Sequence, residues 1–276
     1  MAIMQSMPNF SQRRLPRWMR GSLSTLGTLV PWGGRFCGSL LRQFRTPERE
    51  AEGLVIVLPG IESESFLNHS VAWGLSDGGW PGAIEVDDWT TTCTLFFVYH
   101  LRGWQRNLRQ AQRIAARIVA YQDQHPGRPV HLIGHSGGGA LAVLILEALP
   151  AERRITTCIL LGPAIAPGYP LTKALSKVER GLWNFKSPLD WFFLGAGTLL
   201  LGTIDGRLSR SAGMIGFREP PGLSAAEQHL YREKLHEQPY LLSMSRTFNL
   251  GGHFGYTNRA FVETWIAPIV MGRASE

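Results

Sequence analysis

The stretch that decides the fold is Pro129-Val130-His131-Leu132-Ile133-Gly134-His135-Ser136-Gly137-Gly138, followed by Gly139 to Leu149. Pro129 to Ile133 reads as a short strand. Gly139 to Leu149 (Gly-Ala-Leu-Ala-Val-Leu-Ile-Leu-Glu-Ala-Leu) reads as an apolar helix. Between them lies a Gly-x-Ser-x-Gly turn. In a chain with 31 glycines the pentapeptide alone would mean little; the strand before it and the helix after it give it meaning. A serine in a sharp strand-to-helix turn is strained, and the residues two positions either side must be small for strand and helix to pass closely. Gly134 and Gly138 meet that need. The turn also puts the hydroxyl at the positive end of a helix dipole.

Working outward, Leu54 to Leu58 (Leu-Val-Ile-Val-Leu) is an unbroken apolar run ended by Pro59-Gly60, the pattern of a strand buried on both faces in a parallel sheet. Further strands are expected at Gly82 to Val86, Thr94 to Val98, Ile155 to Leu161 and Leu182 to Phe185. Helices are expected at Asn68 to Leu75, Trp104 to Gln122, Ala225 to His236 and Phe261 to Val270, the last limited by Pro268. In the Trp104 helix the apolar residues share one face, and Arg106, Arg109, Arg113 and Arg117 form an opposite stripe, read as solvated. Leu199 to Phe217 is Gly-rich and gives no assignment. Strands alternating with helices predict a doubly wound α/β fold with a mostly parallel sheet.

The chain has 276 residues, 44% hydrophobic and 18% charged, enough to bury a large core. Its net charge of +7 is unevenly spread. Residues 1–53 hold eight arginines against three glutamates, whereas the rest holds 20 basic and 18 acidic residues. The high pI belongs to the first segment, so it gives no reason to expect a nucleic-acid partner. The catalytic body is expected at 53–276, with 1–52 as a basic arm. Arg13 to Arg20 followed by the apolar Leu23 to Val30 fits an export signal, a surface-associating or disordered arm, or a helix. The run is too short to span a bilayer. Localisation stays open between the cytoplasm and export or membrane association, with the arm as the membrane-surface contact. Cys37, Cys93 and Cys158 are too few and too scattered for a disulfide framework or a zinc site; Cys93 and Cys158 read as small core residues. No metal and no cofactor are expected.

A serine hydroxyl needs a base to take its proton, and that base needs a partner to orient it. His253 is the favoured base, because it stands in the Gly-rich loop Asn249 to Gly255 before the last helix. His229 and His236 sit on an expected surface helix, His125 in a loop, His131 inside the strand before the turn, and His69 and His100 precede the serine. Asp190 is the favoured acid, after a Ser-Pro turn; Asp205, in Asp205-Gly206, is its rival. The oxyanion would be held by two backbone N–H groups, of Gly137 and of Ile61 in the turn after Leu58.

With these residues in view, the chain resembles a serine hydrolase of the α/β-hydrolase superfamily, esterase- or lipase-like. The resemblance rests on Gly134 to Gly138, on the chain order Ser136, Asp190, His253, and on the strand–Pro59–Gly60 turn. It covers Gly53 onward. It implies a triad on loops at the carboxyl ends of the strands and hydrolysis of an ester, thioester or amide through an acyl-enzyme. The oxyanion turn reads Leu-Pro-Gly where the family often has His-Gly, which leaves the backbone donors in place. The region Lys173 to Trp183 is short for a large lid. The expected partner is a small-molecule acyl substrate, with Trp191, Phe192 and Phe193 as candidate pocket walls. Peptidase, amidase or acyltransferase activity on the same triad, and a non-catalytic interaction protein on the same fold, are the competing readings.

Overall fold

The computed structural model describes residues 15–28, 41–91 and 96–273. Cys37 and Cys93, and Arg13 and Arg14 of the basic run, lie outside them. Six strands form one sheet: β1 (Leu54–Leu58), β2 (Ala83–Val86), β3 (Val130–His135), β4 (Ile155–Leu161), β5 (Val178–Lys186) and β6 (Leu235–Pro239), in the spatial order β2-β1-β3-β4-β5-β6. Every pairing is parallel. This is the doubly wound parallel sheet that the alternation of elements predicts.

The unbroken apolar character of β1 has a direct cause. Leu54, Ile56 and Leu58 point into a core shared with the helices Trp104–Gln124 and Gly137–Ala148. Val55 and Val57 point into a second core, built with the helix Phe66–Asp77 and the last helical segment. A strand covered on both faces has no side on which to carry polar residues. The Gly137–Ala148 helix obeys the same logic: its residues from Gly137 to Leu146 are all buried, so it shows no polar face.

Three segments differ from the sequence reading. The β-rich run expected as a strand from Thr94 is helical where it is described, with a helix at Phe97–Arg102; Thr94 and Leu95 lie outside the described residues. β-propensity measures fit to a half-buried pleated surface, and Phe97 and Tyr99 instead lie exposed on a helix. Strand β6 begins where the Ala225 helix was expected to end, and the helix stops at Lys234. Its sequence, Leu-His-Glu-Gln-Pro, is polar because an edge strand is only half covered. The last helix passes through Pro268, since a wide π-type turn at Val262–Ile266 precedes it and Pro268 falls in the first turn of Ala267–Val270, where its missing N–H costs least.

Residues Arg17–Gly27 of the basic arm form a helix against the helices Phe66–Asp77 and Arg259–Phe261. Arg20 is buried there and pairs with Asp77 and Glu263, and Asn258 Nδ2 donates to the Gly21 carbonyl at 3.0 Å. Over these residues the arm is joined to the body. The arginine stripe is also less solvated than its spacing suggested. Arg113 and Arg117 pair with Asp87 and Glu85 at the end of β2, and Arg106 is buried with its guanidinium donating to the Trp89 carbonyl. Arg109 is exposed, as expected.

Candidate active site

The chain leaves β1 towards β2 on one side and returns to β3 on the other, so the carboxyl ends of β1 and β3 flank the point where the winding reverses. Open parallel sheets bind their ligands at such points. Pro59-Gly60-Ile61 follows β1 there, and Ser136 follows β3.

Ser136 has φ 52° and ψ −117°, a backbone conformation that a side-chain-bearing residue rarely adopts. The strain is held by neighbours that allow nothing else. The Ser136 amide donates to the Leu161 carbonyl at 3.0 Å, and the Ser136 carbonyl accepts from Gly139 and Ala164 at 3.0 Å each. A Cβ on Gly134 would run into the carbonyl of Gly138. One on Gly138 would run into the carbonyls of Leu58 and Pro59. The two glycines thus let β3, the following helix and the turn after β1 meet at one point.

His253 and Ser136 line the same cavity, of about 420 Å³. His253 Nδ1 lies 2.6 Å from Asp190 Oδ2, and both residues are buried. A carboxylate can only accept, so Nδ1 carries the proton and Nε2 is left as the acceptor. Asp205 is engaged elsewhere. Its Oδ1 accepts from the Ala166 amide at 3.0 Å and from Thr203 Oγ1 at 2.6 Å, and its Oδ2 faces Arg207. Apart from Glu62 and Thr198 the remaining wall of the cavity is apolar, with Phe97, Leu101, Phe192, Phe193, Leu200 and Phe254 among its residues. Phe193 stacks on the His253 ring with centroids 4.7 Å apart. Trp191, expected beside them, lies outside the lining: it is 62% exposed and stands edge-on to Phe192. Of the other tryptophans, Trp80 and Trp89 are buried in or beside the core. A larger hollow of about 590 Å³ opens at the amino ends of the strands, remote from Ser136.

The turn after β1 is fixed from three sides. Trp89 Nε1 donates to the Pro59 carbonyl at 2.7 Å. The Thr91 amide donates to His100 Nε2 at 3.0 Å, so His100 Nδ1 carries the proton and donates to the Ile61 carbonyl at 3.0 Å. Burial lowers the pKa of His100, which keeps it in that neutral form. The Gly60 amide donates to Glu62 Oε1 at 3.2 Å. The Ile61 amide nitrogen is 3.6 Å from where a Cβ on Gly137 would stand, so the two expected oxyanion donors are neighbours.

Sequence reasoning missed a second pair beneath the site. His135 is buried; its Nε2 donates to the backbone carbonyl of His253 at 2.9 Å, and its Nδ1 faces Glu62 Oε1 at 3.7 Å. Burial opposes charge on both groups, but each favours the other's ionised form more strongly. The pKa of His135 is raised and that of Glu62 lowered. A His inside the Gly-x-Ser-x-Gly turn with a Glu two residues beyond Pro-Gly was the only available signal. The pair has a testable consequence. A raised His pKa contributes stability below the ordinary value of 6.5, lost as pH rises through the raised value. A lowered Glu pKa contributes stability above the ordinary 4.5, lost as pH falls through the lowered value. Glu62→Gln is therefore expected to unfold a few degrees below the parent, with the widest gap between about pH 4.5 and 6.5. Thermal unfolding across pH reads this directly; a gap of constant width would show the pair to be uncharged.

Residues 99–189 match a hydrolase family described as serine aminopeptidase, S33. That match covers about a third of the chain. Among solved structures, the chain is similar to a provisionally assigned hydrolase of the alpha/beta superfamily from Xanthomonas campestris pv. campestris (18% identity, 76% of this chain and 96% of that one, TM-score 0.41). It is also similar to a cutinase-like protein from Cryptococcus sp. (13% identity, 81% and 97%, TM-score 0.42) and to esterase B from Lactobacillus rhamnosis (12% identity, 80% and 72%, TM-score 0.42). Likeness at that level carries no argument about what this chain does. No curated protein matches the chain.

Proposed function

We propose that this chain is an α/β hydrolase, a serine esterase that cleaves esters of apolar acyl groups through an acyl-enzyme. One observation carries the reading: a strained Ser136 opens on an apolar cavity shared with His253, whose ring is held by a buried Asp190 at 2.6 Å. In the first step Ser136 Oγ attacks the acyl carbonyl carbon and its proton passes to His253 Nε2. The imidazolium so formed is stabilised and held in place by Asp190. The amides of Ile61 and Gly137 donate to the oxyanion of the tetrahedral intermediate. Its collapse breaks the bond to the leaving alcohol, which takes the proton from His253. Water then attacks the acyl-enzyme by the same route in reverse, releasing the acid and restoring Ser136.

The family match brings in aminopeptidase activity as the second reading. An aminopeptidase must hold the ammonium group of its substrate, which calls for an acidic side chain free in the pocket. The acidic group in this lining is Glu62, already engaged by the Gly60 amide and facing His135. The cavity therefore suits an uncharged acyl chain better. A fluorophosphonate probe is expected to label the parent at Ser136 and to leave Ser136→Ala unlabelled. Equal labelling of the two proteins would discard the mechanism, and no labelling of either would favour a non-catalytic role. Hydrolysis of p-nitrophenyl esters over aminoacyl p-nitroanilides is expected, and the reverse preference would replace esterase by aminopeptidase.

A further inference from the structure

We infer that the apolar rim around the mouth of the Ser136 cavity is a docking surface for a lipid surface, from which the acyl substrate enters the site. The inference rests on the esterase reading for the entry step; the docking itself does not depend on catalysis.

Three segments border the cavity: the helix Phe97–Arg102, the helical run from Phe192 to Leu201, and the loop that carries His253. Each turns large apolar side chains outward. Phe97 is 39% exposed, Trp191 62%, Phe192 61%, Leu200 78% and Leu250 71%. The aromatic residues at the mouth are in contact with one another. Trp191 contacts Phe192 and Phe192 contacts Phe193, with centroids 5.9 and 5.0 Å apart, and Phe193 meets Phe254 at 5.3 Å across the mouth. Phe192 and Leu200 also line the cavity, so the inner wall runs out onto the rim without a polar break. Scattered exposed leucines need no explanation, but a contiguous apolar ring around a site does, because keeping it in water costs about 25 cal/mol for each Å².

The position of the ring selects its occupant. A protein partner, or a second copy of this chain, seated on it would stopper the cavity. A lipid surface would cover the same side chains and leave the mouth facing acyl chains. The residue types agree, since an aromatic ring with one polar edge, such as Trp191, suits the boundary between hydrocarbon and water. A cation stands at the edge. Arg102 is exposed, and its Nη1 donates to the Leu201 carbonyl at 3.2 Å. Such a side chain meets anionic headgroups. Among the described residues no helix is long and apolar enough to cross a membrane, so the contact is with the surface.

Cosedimentation of the full chain with vesicles of phosphatidylglycerol and phosphatidylcholine tests this. The parent and Ser136→Ala are expected to bind equally. The double variant Leu199→Gln/Leu250→Gln alters two exposed rim residues outside the cavity lining. It is expected to lose vesicle binding at least about tenfold while hydrolysing a soluble short-chain ester within about twofold of the parent. High salt separates the rim from the basic arm: at about 1 M salt the screening length is about 3 Å, so charge-driven binding fails and apolar binding persists. Binding that vanishes in high salt, or a double variant that binds like the parent, overturns the inference. Self-association of the parent that the double variant abolishes, without vesicle binding, would also overturn it in favour of a second copy. Loss of fluorophosphonate labelling with vesicle binding intact would count against the esterase reading alone.

Discussion

Asp190→Asn is expected to lower kcat about 10⁴-fold, with KM little changed, while Asp205→Asn stays within about threefold of the parent. The distinction follows from what each carboxylate touches. Asp190 Oδ2 accepts from His253 Nδ1 at 2.6 Å inside a buried pair. An amide in its place can present an N–H to the ring and turn it to the tautomer whose Nε2 carries the proton. A ring in that form cannot take the proton from Ser136. The imidazolium of the transition state also loses its counter-charge. A factor of 10⁴ corresponds to about 5.4 kcal/mol of transition-state stabilisation, reasonable for a charge pair that water does not screen. Asp205 is tied to the Ala166 amide, to Thr203 Oγ1 and to Arg207, all outside the cavity lining. The side-chain amide introduced by Asp205→Asn can keep the bond to the Ala166 N–H through its carbonyl oxygen. Steady-state kinetics on a p-nitrophenyl ester decides the matter, with thermal unfolding as the check that both variants are folded. If Asp190→Asn keeps a tenth of the parent kcat, the residue is a structural partner of His253 only.

Sequence alone left Asp190 and Asp205 as rivals because both are turn aspartates, a role that needs no partner across the fold. What separates them is a contact between residues 63 positions apart, and no local pattern encodes it. The same reason explains the rest of what was hidden. Strand β1 was visible as an unbroken apolar run, because burial on both faces writes itself into consecutive residues, whereas of β5, which carries exposed Glu179 and Arg180, only Leu182 to Phe185 was legible. β6 was not, since an edge strand carries the polar composition of a loop. The helix at Phe97–Arg102 was masked by a β-rich composition that in fact serves the cavity and its rim. His135 and Glu62 lie far apart in the chain, and each is ordinary in its own segment. The serine turn was legible for the opposite reason. Its strain forces small residues at fixed short spacing, so its three-dimensional demand is local.

That demand is severe enough to give the second large effect. Gly138→Ala is expected to destabilise the protein by about 4 kcal/mol, lowering its melting temperature by about 10 °C. The added methyl would sit against the carbonyl groups of Leu58 and Pro59, and neither can move cheaply. Leu58 ends a strand paired on both sides, with Val57 and Leu58 opposite Ile133 and Gly134 of β3 and Val57 opposite Val86 of β2. The Pro59 carbonyl accepts from Trp89 Nε1 at 2.7 Å. Relief must therefore come from moving the helix that begins at Gly137, and this would displace Ser136 and the Gly137 amide from the Ile61 amide. Activity should fall together with stability, because one close approach underlies both. Gly168→Ala is the control. Nothing lies within 4 Å of its added methyl, and its backbone needs no glycine conformation, so its melting temperature should match the parent within about 2 °C. Calorimetry on the two variants measures the difference. Equal melting temperatures would mean that the turn after β1 is free to yield, and that the geometry around Ser136 is set by something other than this contact.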